Sequence, residues 1–307
     1  MSYYRRQYKF SFGQGSSNLV TLIAINLVMF VGFAFIKLIY FFNHGSDQGL
    51  ILYNTKVLPW FTLSSDVNVI LSRPWTILTH MFMHEGMLHI FANMLWLWGF
   101  GFLLQGIAGS RKIIPVFIYG GLAGAIAFVL SFNFIPALSP EVHVASALGA
   151  SAGVMAVALA ATMLAPGYRI FPMLNGGIPI WVLTMIYVII DLATIPLSNP
   201  GGHIAHLAGA FTGSLFIFFY RRGYDWSDWM NNFFDWIGNL FNPDRPKKGR
   251  EIKEELFYQS SSSPYKKTSN VTQQRIDEIL DKINQNGYGS LTPEEKELLK
   301  RASKEEL

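Results

Sequence analysis

Six apolar segments, each long enough for a membrane-spanning helix, alternate with polar stretches along most of this chain. Apart from histidine and tyrosine, the stretch from Lys112 to Arg169 contains one ionisable side chain, Glu141. The next stretch, up to Arg221, contains only Asp191. An α-helix needs about 20 apolar residues to cross a bilayer. The pattern predicts an all-α polytopic membrane protein with a core at residues 19–222 and spans at about 19–42, 87–105, 113–135, 148–166, 178–197 and 203–220.

The polar segments around this core predict four further parts. They are a cytoplasmic N-terminal segment (1–18), an amphipathic helix (223–242), a serine-rich basic linker (243–269) and a small cytoplasmic helical hairpin (270–307). The amphipathic helix places aromatic residues on one face and Asp225, Asp228 and Asp235 on the other. It either lies in the membrane interface or packs against the core. Asn270 and Thr292 are predicted helix caps in the hairpin, which we expect to bind an unidentified cytoplasmic partner.

Composition narrows the class of protein further. The chain is 51% hydrophobic and 14% charged, well below the roughly 25% charge of soluble domains. It contains no cysteine, which excludes disulfides, thiolate nucleophiles and thiolate metal sites. The net charge of +4 comes mainly from the two ends of the chain. This charge indicates membrane topology, with the lipid bilayer as partner, rather than binding to nucleic acid.

The positions of lysine and arginine predict the orientation in the membrane. With six spans, most of these residues fall on one side: Arg5, Arg6, Lys9, Arg111, Lys112, Arg169, Arg221 and Arg222. Because positive charge concentrates in cytoplasmic loops, both termini are expected in the cytoplasm. The second, fourth and sixth spans then all begin at the outer face.

The outer ends of these three spans carry a set of polar side chains suited to acyl transfer. His89 and Asn93 begin the second span, Ser151 the fourth and His206 the sixth, and the rise of about 1.5 Å per residue places them at similar depth. A serine nucleophile needs a base, and histidine is suited to that role near neutral pH. The developing oxyanion needs donors. The candidates are His89, Asn93 and the backbone of Ala150 and Ser151 at a helix start.

Small residues are placed where these spans would have to approach each other. Gly149 and Gly153 lie beside Ser151, and Gly209 and Gly213 follow His206. Glycine at such positions lets membrane helices pack closely. We therefore expect the sixth span to pack against the fourth and to bring His206 to Ser151.

These motifs resemble those of the rhomboid intramembrane serine proteases over roughly residues 70–220. The resemblance rests on His89-Ile-Phe-Ala-Asn93, on Gly149-Ala150-Ser151, and on His206 followed by Gly209 and Gly213. It implies a six-helix rhomboid-like bundle, a catalytic Ser151–His206 dyad without a third acid, an oxyanion site including His89 and Asn93, and no cofactor or metal. It also implies a serine endopeptidase that cleaves transmembrane protein substrates near their outer ends. Its expected location is the bacterial inner membrane, with the active site facing outward.

The resemblance also extends to His80 and His84, which match histidines with structural or water-ordering roles in many members. Three positions depart from the family's pattern. Ala152 replaces a glycine after the serine, Met155 replaces a tyrosine that stacks on the catalytic histidine, and Gln105 replaces an acid at the end of the second helix. None of them removes a catalytic group, but rate and substrate preference are open.

The same residues disfavour two other classes of membrane protein and leave one alternative function. A zinc protease is disfavoured because His84 and His89 are five apart, which on a helix would point their rings roughly 140° apart. A transporter is disfavoured because the motifs show no inverted repeat. A catalytically weak or inactive rhomboid-like scaffold that binds membrane proteins remains the alternative. Asp191 is either an interhelical hydrogen-bonding residue and no more, or a residue with a further function. The loop from Leu197 to Gly202, with the outer half of the fifth span, is the expected gate for substrate.

Overall fold

The computed structural model describes residues 17–170, 176–238, 240 and 273–305. It divides into two compact units, residues 1–241 and 242–307. Most of the predicted N-terminal segment 1–18 and the whole predicted linker 243–269 lie outside the described residues.

The described part of the first unit is built almost entirely from helices. The α-helices are α1 (Asn18–His44), α2 (Ser46–Leu52), α3 (Val67–Ser72), α4 (Thr76–Thr79), α5 (Met87–Ala108), α6 (Ile113–Phe134), α7 (Ser151–Leu164), α8 (Ile180–Thr194), α9 (Pro200–Tyr220) and α10 (Asp228–Gly238). Four two-residue strands are present: β1 (Leu63–Ser64), β2 (Ser146–Ala147), β3 (Arg169–Ile170) and β4 (Ile178–Pro179). They form two antiparallel pairs, β1 with β2 and β3 with β4.

Two of the six predicted spans are shorter than the sequence analysis expected. In the described part of the chain, α1, α5, α6 with its preceding turn, and α9 are long and apolar enough to cross a membrane. The helices α7 and α8 have 14 and 15 residues, or about 21–23 Å of length. The predicted spans 148–166 and 178–197 were too long. One physical reason is Gly149, whose φ of +128° is incompatible with a helix.

The short helix α7 is the centre of the unit. Ten of its 14 residues are buried, and it packs against α5, α6 and α9. Helix ends expose unpaired backbone groups, which are tolerated at membrane depth only inside protein or beside water. The helices α5, α6 and α9 surround α7 with protein, so the exposed backbone groups at its ends are tolerated.

Close backbone contacts between α7 and α9 explain why glycine occurs along α9. A Cβ atom at Gly209 would lie 2.1 Å from the Ala152 carbonyl oxygen, and one at Gly213 would lie 2.0 Å from the Ala156 carbonyl oxygen. These are the glycines to which the sequence analysis assigned helix packing. A Cβ atom at Gly153 would lie 2.7 Å from the Phe117 ring on α6, so there is little room for a side chain at this position of α7 as well.

The segment between α1 and α5 holds the chain that leads into α7. Leu63 pairs with Ala147 across β1 and β2. The Ser65 hydroxyl donates to the Val142 carbonyl at 2.7 Å. The backbone N–H of Gly149 donates to the His80 carbonyl at 2.9 Å. These bonds fix the position of the backbone just before Ser151.

The helix α10 packs against the core through its first turn and keeps an exposed aromatic face. Asp225 forms an ion pair with Lys112, and Asp235 pairs with Arg111 at 2.6 Å. Met230 is buried, whereas the aromatic and aliphatic side chains of Trp229, Phe233, Phe234, Trp236, Ile237 and Leu240 are exposed. The acidic face of this helix is therefore explained by the basic turn between α5 and α6.

The second unit contains a helical hairpin, described here by itself. Its helices are α11 (Gln273–Asn286) and α12 (Pro293–Glu305). The Glu295 carboxylate accepts a bond from the Thr292 N–H at 2.8 Å, and the Thr292 hydroxyl accepts one from the Glu295 N–H at 3.3 Å. This reciprocal pair is a capping box. Glu295 also pairs with Lys282 at 2.9 Å, which ties the two helices together. The predicted cap Asn270 lies outside the described residues.

Candidate active site

Ser151 is the first residue of α7 and stands where the chain turns sharply. Gly149 supplies the positive φ that this turn requires, and its N–H is held by His80 as described. The first N–H groups of a helix have no partner within the helix. The Ser151 side chain therefore projects beside backbone N–H groups that are free to bind an anion.

His206 lies two turns into α9 and reaches Ser151 directly. Its Nε2 atom is 2.7 Å from Ser151 Oγ. The close packing of Gly209 on the Ala152 carbonyl sets the distance between the two helices. The structure thus brings together the serine and the histidine that the sequence analysis selected.

A buried carboxylate stands behind the histidine. Asp191 Oδ1 lies 3.0 Å from His206 Nδ1 and 2.7 Å from His203 Nδ1, and the residue is only 2% exposed. The family resemblance implied a dyad without a third acid, so no group was predicted behind His206. The structure differs because α8 crosses α9 with Asp191 on its inner face.

The side chain beside the His206 ring also comes from α8. The Tyr187 ring lies 6.3 Å from the His206 ring in an edge-to-face arrangement. Met155, which occupies the position of the family's stacking tyrosine, is fully buried in α7. The sequence analysis missed Tyr187. The available signal was its spacing of four residues from Asp191, which places both on one face of an apolar helix.

His89 and Asn93 lie on α5 and line the same cavity as Ser151. The His89 ring atoms approach to 3.1 Å from the position of a Cβ at Gly149, so a side chain there would press on this ring. Asn93 Nδ2 donates to the His89 carbonyl at 3.0 Å, which leaves one amide hydrogen for another acceptor. The structure therefore places both side chains in the wall of the cavity that contains Ser151.

The two histidines before α5 are buried and have different surroundings. His80 Nδ1 bonds the Thr76 carbonyl at 2.9 Å. The ring nitrogens of His84 have no hydrogen-bond partner among the described residues. Burial lowers the pKa of each histidine to about 4, so both are neutral near pH 7. His80 thus has a backbone hydrogen-bond partner, whereas the ring nitrogens of His84 are buried without one among the described residues.

One premise about metal binding was wrong. His84 lies before the start of α5, so the helical rotation applied to His84 and His89 does not hold, and their rings are 5.1 Å apart. Within the described residues, Asp191, His203 and His206 form the group whose ligand atoms approach within 4.8 Å. Both imidazoles already donate to the Asp191 carboxylate, and this network accounts for the cluster by hydrogen bonding.

The cavity that contains these groups has a volume of about 770 Å³. Its polar lining includes Ser151, His206, His89 and Asn93. The helix α8 contributes Leu183, Ile186, Tyr187 and Ile190 to its lining. A cavity of this size and character accommodates a short peptide segment together with water.

Comparison with known proteins shows the family to which the chain belongs. Fold and site describe a helical integral membrane protein with a half-buried serine–histidine hydrogen bond. Residues 71–223 match the Rhomboid domain family, and the chain belongs to the rhomboid family. It is 28% identical over 158 residues to the Rhomboid protease GluP of Bacillus subtilis (strain 168), covering 52% of this chain and 29% of that protein. It is 26% identical over 164 residues to RHOMBOID-like protein 12, mitochondrial, of Arabidopsis thaliana, covering 50% of this chain and 48% of that protein.

The matches leave parts of each protein uncovered. The chain spans less than half the length of these two curated relatives. Residues 263–305, which include most of the hairpin, match a Family of unknown function (DUF6576). The hairpin therefore lies in a segment whose sequence belongs to a family of its own.

Proposed function

We propose that this chain is an intramembrane serine endopeptidase that cleaves transmembrane segments of other membrane proteins near their outer ends. The observation that carries the proposal is the 2.7 Å contact between Ser151 Oγ and His206 Nε2 inside a cavity lined by His89 and Asn93. Membership of the rhomboid family supports it, as does the protease named among the relatives.

The proposed reaction is acyl transfer in two steps. His206 Nε2 accepts the Ser151 hydroxyl proton as Oγ attacks the carbonyl carbon of the scissile peptide. The resulting oxyanion accepts hydrogen bonds from the backbone N–H groups at the start of α7 and from His89 and Asn93. When the tetrahedral intermediate collapses, the C–N bond breaks and His206 returns its proton to the leaving amine. Water then attacks the acyl-enzyme while His206 accepts its proton. His206 returns that proton to Ser151 Oγ as the ester C–O bond breaks.

The proposed topology has six membrane segments, with α7 and α8 as the short ones. Both termini would be cytoplasmic in a bacterial inner membrane, and the cavity would open toward the outer face. A substrate helix must unwind before its backbone is exposed to Ser151. Substrates with glycine or proline near their outer end are therefore favoured.

Substrate access is proposed to occur beside α8. This helix buries only Ile180, Thr184 and Asp191, and the loop that follows it leads directly into α9. Since α8 is the least buried of the helices lining the cavity, its outer half is the part of the wall that moves at least cost.

The experiment uses full-length protein reconstituted in liposomes with a transmembrane substrate of this kind. Ser151→Ala and His206→Ala should each abolish cleavage while the variants remain folded and monodisperse in detergent. Ser214→Ala is the matched control, because that serine on α9 bonds the Ala210 carbonyl of its own helix and lies outside the cavity. Cleavage retained by Ser151→Ala would overturn the mechanism. A folded wild-type protein that cleaves no substrate would favour the non-catalytic scaffold.

A further inference from the structure

We propose that Asp191 is a positioning residue that fixes the tautomer and orientation of His206, an inference that rests on the proposed function. The serine–histidine pair would then act as part of a three-residue chain, Asp191–His206–Ser151. The third member comes from α8, the helix proposed to move when substrate enters.

The geometry leaves one consistent arrangement of protons. An ionised carboxylate only accepts hydrogen bonds, so His206 Nδ1 must carry the hydrogen in its 3.0 Å contact with Asp191 Oδ1. The unprotonated Nε2 is then the atom 2.7 Å from Ser151 Oγ. This is the tautomer that a general base acting on Ser151 requires. A carboxylate behind the catalytic histidine has the same role in soluble serine proteases.

The burial of Asp191 argues for more than helix packing. A carboxylate within a membrane bundle is expensive, and such residues usually serve a function. Asp191 Oδ2 is buried without a hydrogen-bond partner among the described residues. A neutral asparagine or serine would tie α8 to α9 at lower cost. The negative charge of Asp191 matters most when His206 takes the serine proton, because the carboxylate then stabilises the imidazolium that forms.

His203 holds the same carboxylate from its other side. Its Nδ1 is 2.7 Å from Asp191 Oδ1, and the His203 and His206 rings stand nearly perpendicular, at 88°. His203 has no recorded contact with Ser151. The two histidines therefore separate two explanations of Asp191. A structural tie between α8 and α9 depends on both imidazoles, whereas positioning of the base depends on His206 alone.

The test compares three variants of the full-length protein in liposomes, with EDTA present throughout. Asp191→Asn removes the charge with little change in shape. Thr184→Val is the matched control, because it removes a buried bond between α8 and Thr162 on α7, which is 2.6 Å long and distant from His206. His203→Phe removes the second donor to Asp191 and leaves the first in place.

Asp191→Asn should lower kcat by about 10- to 150-fold, the range for loss of a hydrogen bond to a charged group, with KM within about twofold of wild type. Thr184→Val and His203→Phe should lower kcat by less than about threefold, even if their thermal stability falls. Should Asp191→Asn not be recovered folded, Asp191→Glu is measured instead. Its longer side chain displaces His206, so kcat should again fall at unchanged KM.

Two results would overturn the inference. One is turnover by the Asp191 variant equal to that of Thr184→Val. The other is a loss in His203→Phe as large as in Asp191→Asn, which would make Asp191 an interhelical tie. Failure of the proposed function gives a different result. Either the wild-type protein itself would not cleave the substrate, or its cleavage would persist in Ser151→Ala.

Discussion

The contact between α7 and α9 allows a quantitative prediction from a single added methyl group. In Gly209→Ala, the new Cβ would lie 2.1 Å from the Ala152 carbonyl oxygen, whereas ordinary contacts begin at about 3.4 Å. The obstacle is backbone, which cannot rotate away. The helix α9 must therefore move by about 1 Å, and it carries His206 one turn before Gly209.

Two effects follow from that displacement. Overpacking of this kind typically costs about 1–3 kcal/mol of stability, partly offset by alanine's better helix propensity of up to about 1 kcal/mol. A misplacement of about 1 Å between catalytic groups lowers the rate by about 100-fold. We therefore expect a reduced melting temperature together with a loss in kcat far larger than the loss in folded protein.

The assay follows intrinsic tryptophan fluorescence on heating and cleavage in liposomes, with Gly99→Ala as the matched control. Gly99 also lies on a long membrane helix, but a Cβ there meets nothing within 4 Å. This control should be neutral or slightly stabilising and fully active. If Gly209→Ala behaves like Gly99→Ala in both measurements, the close approach of α7 and α9 does not position His206, and the reasoning is refuted.

Three further predictions address the cavity and its surroundings. His89→Ala and Asn93→Ala should each lower kcat by about 100- to 1000-fold with smaller changes in KM, as for loss of an oxyanion donor; normal turnover of the double variant would reduce them to packing residues. Because the chain has no cysteine, a bifunctional thiol reagent joining Ala92→Cys on α5 to Ile190→Cys on α8 should block cleavage of membrane-embedded substrates, and undiminished cleavage under verified cross-linking would exclude movement of α8. Burial lowers the pKa of His80 from 6.5 to about 4, so below pH 6.5 the unfolded chain binds a proton that the folded chain does not, and stability should fall by up to about 3 kcal/mol toward pH 4. Melting temperatures should show a weaker dependence in His80→Gln, and an unchanged slope would contradict the assignment.

Much of the fold follows from the spacing of apolar segments and their interruptions. The ends of α5 and α6 agree with the predicted spans to within three residues. The prediction was less accurate for α7 and α8, because hydropathy measures how apolar a segment is and not whether it is helical. Residues 148–150 are apolar or small enough to continue a span, yet Gly149 leaves the helical region of φ and the helix begins only at Ser151.

Some residues of the candidate site can be predicted from local sequence motifs, whereas others depend on how distant helices pack. His89, Asn93, Ser151 and His206 could be predicted as a candidate site because each lies in a motif within the first two turns of its helix. Asp191 and Tyr187 have no such motif, and their role depends on how α8 crosses α9, which no periodicity records. For His84 the prediction was wrong in the opposite sense. Treating His84 as part of the helix placed its ring far from that of His89, but the two rings lie 5.1 Å apart.

The most direct test of the central claim is covalent labelling of the purified full-length protein by a serine-directed fluorophosphonate, read by intact mass and peptide mapping. The account predicts a single adduct located on Ser151, absent from Ser151→Ala and strongly slowed in His206→Ala, because His206 must remove the hydroxyl proton. A folded protein that takes up no label, or a label that persists in Ser151→Ala, would contradict the claim that Ser151 is an activated nucleophile.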